Sequence, residues 1–507
     1  MARFAGVKAR SLPVLLVLLL ANCTVGPDYK KPDAPTPVAF KELAGWKMSQ
    51  PADTADKGAW WSIYHDPELD RLERMIDVSN QTVKQFEAQY RSAVALVAEA
   101  RAGLFPTAGL TAGVSRIGGG SSRGSSGSSG SGTSGSSASS GGGSSGGSSR
   151  GTQFSIAGSV DWDLDVWGRI RRQVESNAAG AQVSAADLAN ARLSAQATLA
   201  TDYFDLRAED ALAQLLTDTV AAYRRALQIT ENQYRAGTTS SIDYVTALAQ
   251  LQSTQAQLVA VGVQRQQFEH AIAVLTGRPP SDLTLSPAPL ATAVPVIPPG
   301  LPSALLERRP DVAAAERAMQ QENALIGVAV AAYYPDISLS ALGEYGGFPL
   351  GALFNASNRI WSLGASGSET LFDAGLRHAE VAAARATYDA SVASYRQTVL
   401  TAFQQVEDAL SNLRILEMQA KAEDIAIRST QRAVQATLNA YRAGTVAYTS
   451  VITEQTQLLS NQQAALSIQQ SRLVASVALV QALGGGWSTG DLPTASAIKA
   501  RYNPLVP

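Results

Sequence analysis

The feature that most constrains this chain is a long internal repeat. The pentapeptide Tyr-Arg-Ala-Gly-Thr occurs at residues 234–238 and again at 441–445, an offset of 441 minus 234, or 207 residues. The same offset relates Phe154 to Trp361, Gly168 to Gly375, Leu206-Arg207 to Leu413-Arg414, and Gly277 to Gly484. The register therefore runs without a gap from about residue 154 to 277, and we expect each structural element of the first half to recur in the second.

A second offset locates extra chain inside the first repeat. Phe105-Pro106 matches Tyr334-Pro335 at an offset of 229, which is 22 residues more than 207. The excess lies before Phe154, in the interval that contains the Gly/Ser tract 118–151. Gly/Ser-rich chain is typical of a solvated coil that cannot bury a core. We expect an enlarged external loop in an otherwise duplicated unit.

Strand-like alternation flanks this loop in both repeats. Apolar or small residues alternate with polar ones over 153–166, and partner strands are expected at about 104–116, 336–345 and 360–372. A tilted membrane strand needs roughly 9 to 11 such residues. Four strands cannot close a barrel, and lipid does not tolerate an open sheet edge, so several chains must share one barrel. Three chains would give twelve strands, and bacterial barrels typically have an even number of eight or more. The alternative is that the four strands form a sheet in a soluble protein.

Three aspartates, Asp161, Asp163 and Asp165, form the polar row of the second strand. They could be a metal site or a catalytic carboxylate group. On an alternating strand, we expect them instead to face a water-filled lumen and to favour cations.

Helical patterns fill the rest of the chain. The predicted helices are 67–103, 169–235, 240–276, 311–333, 377–442 and 447–483. A helix over 169–235 is about 100 Å long, and two shorter helices end to end nearly match it. Apolar residues at heptad spacing from Leu251 to Leu275 predict coiled-coil packing. The glycine turns should lie at the far tip of a tube, roughly 100 Å from the barrel.

The N-terminus holds Cys23, the only cysteine of the chain. Basic residues, an apolar run from Leu12 to Leu20 and then small residues predict a signal peptide over 1–22. Leu20-Ala21-Asn22-Cys23 resembles a bacterial lipobox, which implies a diacylglycerol and an N-acyl chain on Cys23. The alternative is an ordinary signal peptide beside a bystander cysteine. Thr24 after the cysteine implies, by the same resemblance, an outer-membrane destination.

Several motifs together resemble the outer membrane efflux protein family (TolC-like), most closely its NodT-type lipoproteins. They are Gly26-Pro27-Asp28-Tyr29, the Trp60-Trp61 pair, Arg309-Pro310-Asp311-Val312, both Tyr-Arg-Ala-Gly turns and Leu483-Gly484-Gly485-Gly486-Trp487. The resemblance covers essentially Cys23 to Trp487. It implies a mainly α, homotrimeric channel-tunnel, in which a shared twelve-strand barrel in outer-membrane lipid continues into a periplasmic α-helical cylinder. The channel would be a passive export duct without cofactors, joined by a periplasmic membrane-fusion adaptor to an inner-membrane pump of the resistance-nodulation-division type.

The corresponding domains are a lipid-anchored extended segment over 23–66, a first repeat over 67–300, a second over 301–487 and a tail over 488–507. By resemblance, Asp243 and Tyr441 help to hold the periplasmic end closed; Asp243 as a solvated or helix-capping carboxylate is the alternative. Thr449 and Thr453 stand where the family commonly carries a leucine and an aspartate ring, and Glu454 is adjacent. The adaptor would dock at the turns, at Arg235, Gly237, Thr238, Arg442, Gly444 and Thr445.

Other functions fit the sequence less well. A net charge of -2 with 17% charged residues argues against a nucleic-acid partner. The three histidines lie in separate segments without a serine, cysteine or carboxylate constellation, so we do not expect an enzyme. A non-conducting stalk or adaptor protein remains an alternative class. The tunnel of a type I polypeptide secretion system is the alternative function within the same fold.

Overall fold

A computed structural model describes residues 24–34, 36–37, 39–43, 59–117, 151–297, 307–348 and 350–501. The predicted signal peptide, Cys23 and residues 118–150 of the Gly/Ser loop lie outside the described residues.

Long helices dominate the described chain. They are α1 Pro67–Ser79, α2 Gln81–Ala102, α3 Arg169–Arg235, α4 Ser241–Leu275, α5 Pro310–Ala331, α6 Leu376–Arg442, α7 Tyr448–Ala482 and α8 Ala495–Ala500. Helices α3 and α6 have 67 residues each, and α4 and α7 have 35 each, so the sequence repeat is also a repeat of helix lengths. Among the described helices, none is both long and apolar enough to cross a membrane.

One predicted helix is divided in the structure. The range 67–103 forms two helices, α1 and α2, separated at Asn80, whose backbone is extended. The Asn80 side chain accepts a hydrogen bond from the Val83 N–H and donates one to the Leu275 carbonyl. Asparagine is a strong helix-capping residue because its amide replaces the missing intrahelical partners. The cap therefore starts α2 and also ties it to the end of α4.

The strands form one antiparallel sheet in the order β1-β2-β3-β4. Their bounds are β1 Thr107–Ile117, β2 Gly151–Leu164, β3 Asp336–Gly347 and β4 Arg359–Ser368. The register pairs Thr107 with Asp161, Phe154 with Gly347, and Asp336 with Ser368. The first and last strands, β1 and β4, each have one sheet neighbour, so both edges of the sheet are unpaired within the chain.

The two faces of this sheet differ in chemistry. Side chains of paired residues project from the same face, so the register assigns every strand residue to a face. One face, here the apolar face, carries Leu110, Val114, Phe154, Ile156, Val160, Trp162, Leu339, Tyr345, Trp361 and Leu363. The other, the polar face, carries mostly small and hydroxyl side chains, including Thr107, Thr111, Ser155, Ser159, Ser338, Ser340, Ser362 and Ser366.

The chain divides into two compact units that do not follow the repeats. Of the described residues, the sheet unit holds those up to Pro27 and those within Glu99–Val174 and Ile326–Ala382. The helical unit holds the described residues within Asp28–Ala98, within Glu175–Leu325 and from Ala383 onward. Each unit therefore takes residues from both repeats.

Large aromatic and aliphatic side chains fill the core of the helical unit. Tyr203, Phe204, Tyr395 and Leu410 are almost fully buried there.

The repeat-related Gly277 and Gly484 both have positive φ. A β-carbon on Gly484 would lie 1.9 Å from the Arg308 carbonyl oxygen. Glycine is therefore required at this position both for its backbone conformation and for the close approach of a neighbouring segment.

Among the described residues of the helical unit, Glu73 in α1 carries the one carboxyl group that is fully buried. Neither of its oxygens has a hydrogen-bond partner among the described residues. Burial, together with the smaller effect of the negative charges of Asp77 and Asp70, raises the pKa of Glu73 to about 9. The folded protein consequently holds this side chain in its neutral, protonated form at pH 7.

Candidate functional site: the helix turns and the polar sheet face

The first turn, between α3 and α4, is closed by Gly237 and Thr238. The Gly237 N–H donates to the Tyr234 carbonyl and the Thr238 N–H donates to the Gln233 carbonyl, both at 2.9 Å. This is the Schellman arrangement, in which the residue after the helix adopts a left-handed conformation. Gly237 has a φ of 72°, as that arrangement requires. The Thr238 hydroxyl also donates to the Gln233 carbonyl, at 3.0 Å, and so gives that helix-end acceptor a second donor.

The second turn, between α6 and α7, repeats these bonds. Gly444 has a φ of 71°, and the N–H and hydroxyl of Thr445 both donate to the Ala440 carbonyl. Apart from the glycine and its two chain neighbours, no heavy atom of the described residues lies within 4 Å of a β-carbon built on Gly237 or Gly444. The repeated Gly-Thr pair therefore has a local structural explanation, and both turns leave open space in which another molecule could pack.

The two arginines of the turns differ in their surroundings. Arg235 is 72% exposed and pairs with Glu231, one helical turn earlier, at 2.5 Å. Arg442 occupies the equivalent position in the second turn and is exposed. An exposed ion pair such as that of Arg235 contributes little stability. Since both side chains are exposed, both arginines are accessible to a partner.

Tyr441 joins the two helical hairpins of the chain. Its hydroxyl donates to the Gln233 side-chain carbonyl at 2.7 Å, and its ring lies 5.2 Å from that of Tyr448. Tyr448 is buried against Ala247 and Val451. The sequence did not indicate roles for Gln233 and Tyr448, because Gln233 bonds to Tyr441, 208 residues away, and Tyr448 packs against Ala247 of another hairpin. The one available signal was their position within a few residues of the repeated glycines.

Asp243 lies in the first turn of α4 and is partly buried. Its carboxylate accepts a hydrogen bond from the Thr239 hydroxyl at 2.7 Å, next to Ser240, which caps the helix. Burial raises the pKa of Tyr441, and the negative charge of Asp243 raises it further. The structure thus brings Asp243 and Tyr441 into one electrostatic neighbourhood, and the Thr239 contact also fits the helix-start interpretation. The gate role of Asp243 stays a prediction.

The three gate positions on α7 have different environments. Thr449 and Thr453 are exposed, and the Thr453 hydroxyl donates to the Thr449 carbonyl of its own helix at 3.1 Å. Glu454 is half-buried. The hydroxyl of Thr453 is therefore engaged along its own helix, and Glu454 is the ionisable group among the three.

The structure corrects the predicted aspartate row. Asp161 and Asp163 lie on the polar face of β2 and are exposed. Asp165 lies beyond the end of β2: its carboxylate accepts from the Ile170 and Arg171 N–H groups and forms an ion pair with the Arg171 side chain at 3.2 Å. It caps the start of α3 because free N–H groups at a helix N-terminus favour a carboxylate.

Two further acids lie on the polar face and were missed from the sequence. Asp336 begins β3, and Glu344 lies eight residues later on the same face. Their even spacing along one predicted strand could have indicated that both side chains project from the same face. Together with Asp161 and Asp163, they make the ionisable groups on this face of the described strands uniformly acidic. A passage lined by this face would attract cations and repel anions.

The chain matches known proteins over most of its length. The model of the family described as "Outer membrane efflux protein" matches residues 74–278 and 301–485. The probable efflux pump outer membrane protein TtgC of Pseudomonas putida is 28% identical over 479 residues, covering 92% of this chain and 94% of that protein. Outer membrane protein OprJ of Pseudomonas aeruginosa is 28% identical over 486 residues, covering 94% and 96%. The cation efflux system protein CusC of Escherichia coli is 27% identical over 479 residues, covering 94% and 98%.

Solved structures give the same result. The outer-membrane channel OprN superposes with a TM-score of 0.80 at 28% identity, over 92% of this chain and 100% of that one. The CmeC outer membrane channel of Campylobacter jejuni has a TM-score of 0.81 at 21% identity, over 95% and 99%, and shows a likeness of fold.

Proposed function

Since the chain belongs to the outer membrane efflux protein family, we propose that it is the outer-membrane duct of a tripartite pump that exports small molecules. It is an efflux channel of the outer membrane. In this proposal three copies share one barrel, and a periplasmic adaptor joins them to an inner-membrane pump that delivers the substrates.

The observation that carries the proposal is the four-stranded sheet with one apolar face, one polar face and two unpaired edges. An unpaired edge in lipid leaves backbone N–H and C=O groups without partners, which costs several kcal/mol for each group. Pairing β4 of one chain with β1 of the next removes both edges, and three chains close a ring of about twelve strands. The apolar face then contacts lipid and the polar face lines the lumen.

The lumen chemistry supports a duct with weak selectivity. Small hydroxyl side chains leave space for water, and the acids Asp161, Asp163, Asp336 and Glu344 would favour neutral and cationic molecules over anions. Relatives of the chain include the antibiotic efflux pump protein ArpC and the toluene efflux pump protein TtgC of Pseudomonas putida, each 28% identical, and the cation efflux protein CusC. We propose that the inner-membrane pump selects the substrate and supplies the energy, and that this chain supplies the passage.

The open space at Gly237 and Gly444 supports these turns as the docking site of the periplasmic adaptor. Three chains with two turns each would present six similar surfaces. The duct would be closed at this end by the Tyr441 to Gln233 link and the charge of Asp243, and an acyl anchor on Cys23 would hold the N-terminus at the membrane.

The test combines conductance with coupling. Purified protein in a planar bilayer should conduct ions, whereas a non-conducting stalk protein would not. Gly444→Trp should leave trimer abundance near normal, because nothing occupies the space it enters, and should abolish drug resistance and adaptor crosslinking. Gly444→Ala imposes the same positive-φ strain without the bulk and serves as the control. Full efflux by Gly444→Trp would refute docking at this turn, and equal depletion of trimer by both variants would make the glycine purely structural.

A further inference from the structure

The arginines of the strands lie on the opposite face from the acids. Arg116 in β1 and Arg359 in β4 are the basic residues of the described strands. The register places Arg359 opposite Tyr345 and Arg116 opposite Thr152, which puts both arginines on the apolar face. Charge is therefore segregated: acids lie on the polar face and bases on the apolar face.

Both arginines are also at the same end of the sheet. Arg116 is the penultimate residue of β1, and Arg359 is the first residue of β4. This end holds the connections between β1 and β2 and between β3 and β4, and it is opposite the end from which α3 and α6 start. In the proposed channel it is the external end.

The two side chains are exposed, and neither has a salt-bridge partner among the described residues. Aromatic side chains accompany them at this end: Tyr345 is in ring contact with Phe354 at 5.5 Å, and Trp361 is 66% exposed on the apolar face. Arginine facing lipid is costly at mid-bilayer but costs little at the interface. Aromatic belts mark that interface in membrane barrels. In the proposed channel, the two side chains would therefore lie at the level where lipid headgroups begin.

We propose that Arg116 and Arg359 form a binding rim for the phosphate groups of phosphorylated lipid in the outer leaflet. This inference rests on the proposed function, because it takes the apolar face as the lipid-facing surface. A guanidinium offers paired N–H donors in a fixed fork that matches a phosphate group and remains charged at any physiological pH. Since β1 and β4 are the two edge strands, closing the barrel brings Arg116 of one chain to the seam shared with Arg359 of the next.

The test uses the purified trimer with a defined lipid. The trimer is exchanged into phosphatidylcholine vesicles that contain either lipid A with both phosphates or enzymatically dephosphorylated lipid A. Native mass spectrometry then counts the lipid A molecules that the trimer retains from each preparation. The Arg116→Gln, Arg359→Gln double variant should retain the phosphorylated lipid at least about tenfold less well, the size expected from losing one charge-assisted hydrogen bond. Lysine at both positions should restore retention partly, since it keeps the charge and loses the fork.

Glu344→Gln is the matched control, because it changes one charge at the same end of the sheet on the opposite face. Its lipid retention should equal that of the unaltered protein. Unchanged retention in the double glutamine variant would overturn the proposal, as would equal loss of phosphorylated and dephosphorylated lipid. Conductance in the same preparations separates the two ideas: a wild-type trimer that does not conduct refutes the proposed function, whereas normal conductance with unchanged lipid retention refutes only the rim.

Discussion

The buried carboxyl group of Glu73 should make the stability of this protein fall as pH rises. Its pKa moves from 4.5 to about 9 on folding, so the folded state keeps a proton that the unfolded state has released at neutral pH. The resulting stability is fully present below pH 4.5 and is lost progressively as pH rises toward 9. Each pH unit within this window costs about 1.4 kcal/mol per chain. Between pH 5 and pH 8, the loss attributable to Glu73 is about 4 kcal/mol.

Glu73→Gln removes the titrating group and keeps its approximate size. We expect the variant to unfold with a free energy similar to that of the wild type at pH 5 and to be about 4 kcal/mol more stable than the wild type at pH 8. Urea unfolding of the detergent-solubilised protein, followed by circular dichroism at both pH values, measures this difference. Other groups with raised pKa, such as Asp202 with a value of about 6, are common to both proteins and cancel.

Glu68 on the same helix provides the control. It is partly exposed and paired with Arg71, a contact that lowers the pKa of its carboxyl group. Glu68→Gln should therefore leave the change in stability between pH 5 and pH 8 unaltered. If Glu73→Gln lost as much stability as the wild type over this interval, Glu73 would be ionised in the folded protein and the reasoning from burial would be wrong.

Three further outcomes are expected. Gly484→Ala should deplete the folded trimer, because its β-carbon would lie 1.9 Å from a carbonyl oxygen, whereas Gly444→Ala should cost only about 1 kcal/mol of backbone strain. The amount of heat-resistant trimer on gels distinguishes the two variants, and equal depletion would contradict the steric argument. Gln233→Ala and Tyr441→Phe each remove the same hydrogen bond, so both should raise single-channel conductance to a similar extent, and an effect of only one would show that the bond is not the closing element. Cys23→Ser should abolish acyl labelling, and an unmodified Cys23 in the mature wild-type chain would end the lipoprotein prediction.

The sequence contained enough information to predict the elements that depend on local periodicity. The offset of 207 predicted paired helices, and α3 spans Arg169–Arg235, the range predicted for it. The break at Asn80 was not predicted, since the hydrogen bond that ties its side chain to the Leu275 carbonyl belongs to tertiary structure. Leu72, Ile76 and Val83 keep helical spacing across that position, and the capping residue type at Asn80 is the local sign of the interruption.

For the site residues too, features set by local sequence were predicted and features set by tertiary contacts were not. The positive φ values of Gly237 and Gly444 agree with the local requirement of a helix ending in a tight turn. Asp165 was assigned to the wrong surface because alternation continues past the strand end, where the start of α3 captures its carboxylate. For Gln233 the sequence offered only its closeness to Gly237, because its partner Tyr441 is 208 residues away.

The unpaired edges of the sheet have a genetic consequence. If three chains must complete one barrel, a chain that pairs through β1 but fails through β4 still occupies a place in the ring and leaves it open. A cell that makes defective and normal chains in equal amounts would assemble wholly normal channels in only about one case in eight, by random mixing within a threefold assembly. Edge-strand mutations should therefore be dominant, whereas mutations that prevent folding before assembly should be recessive.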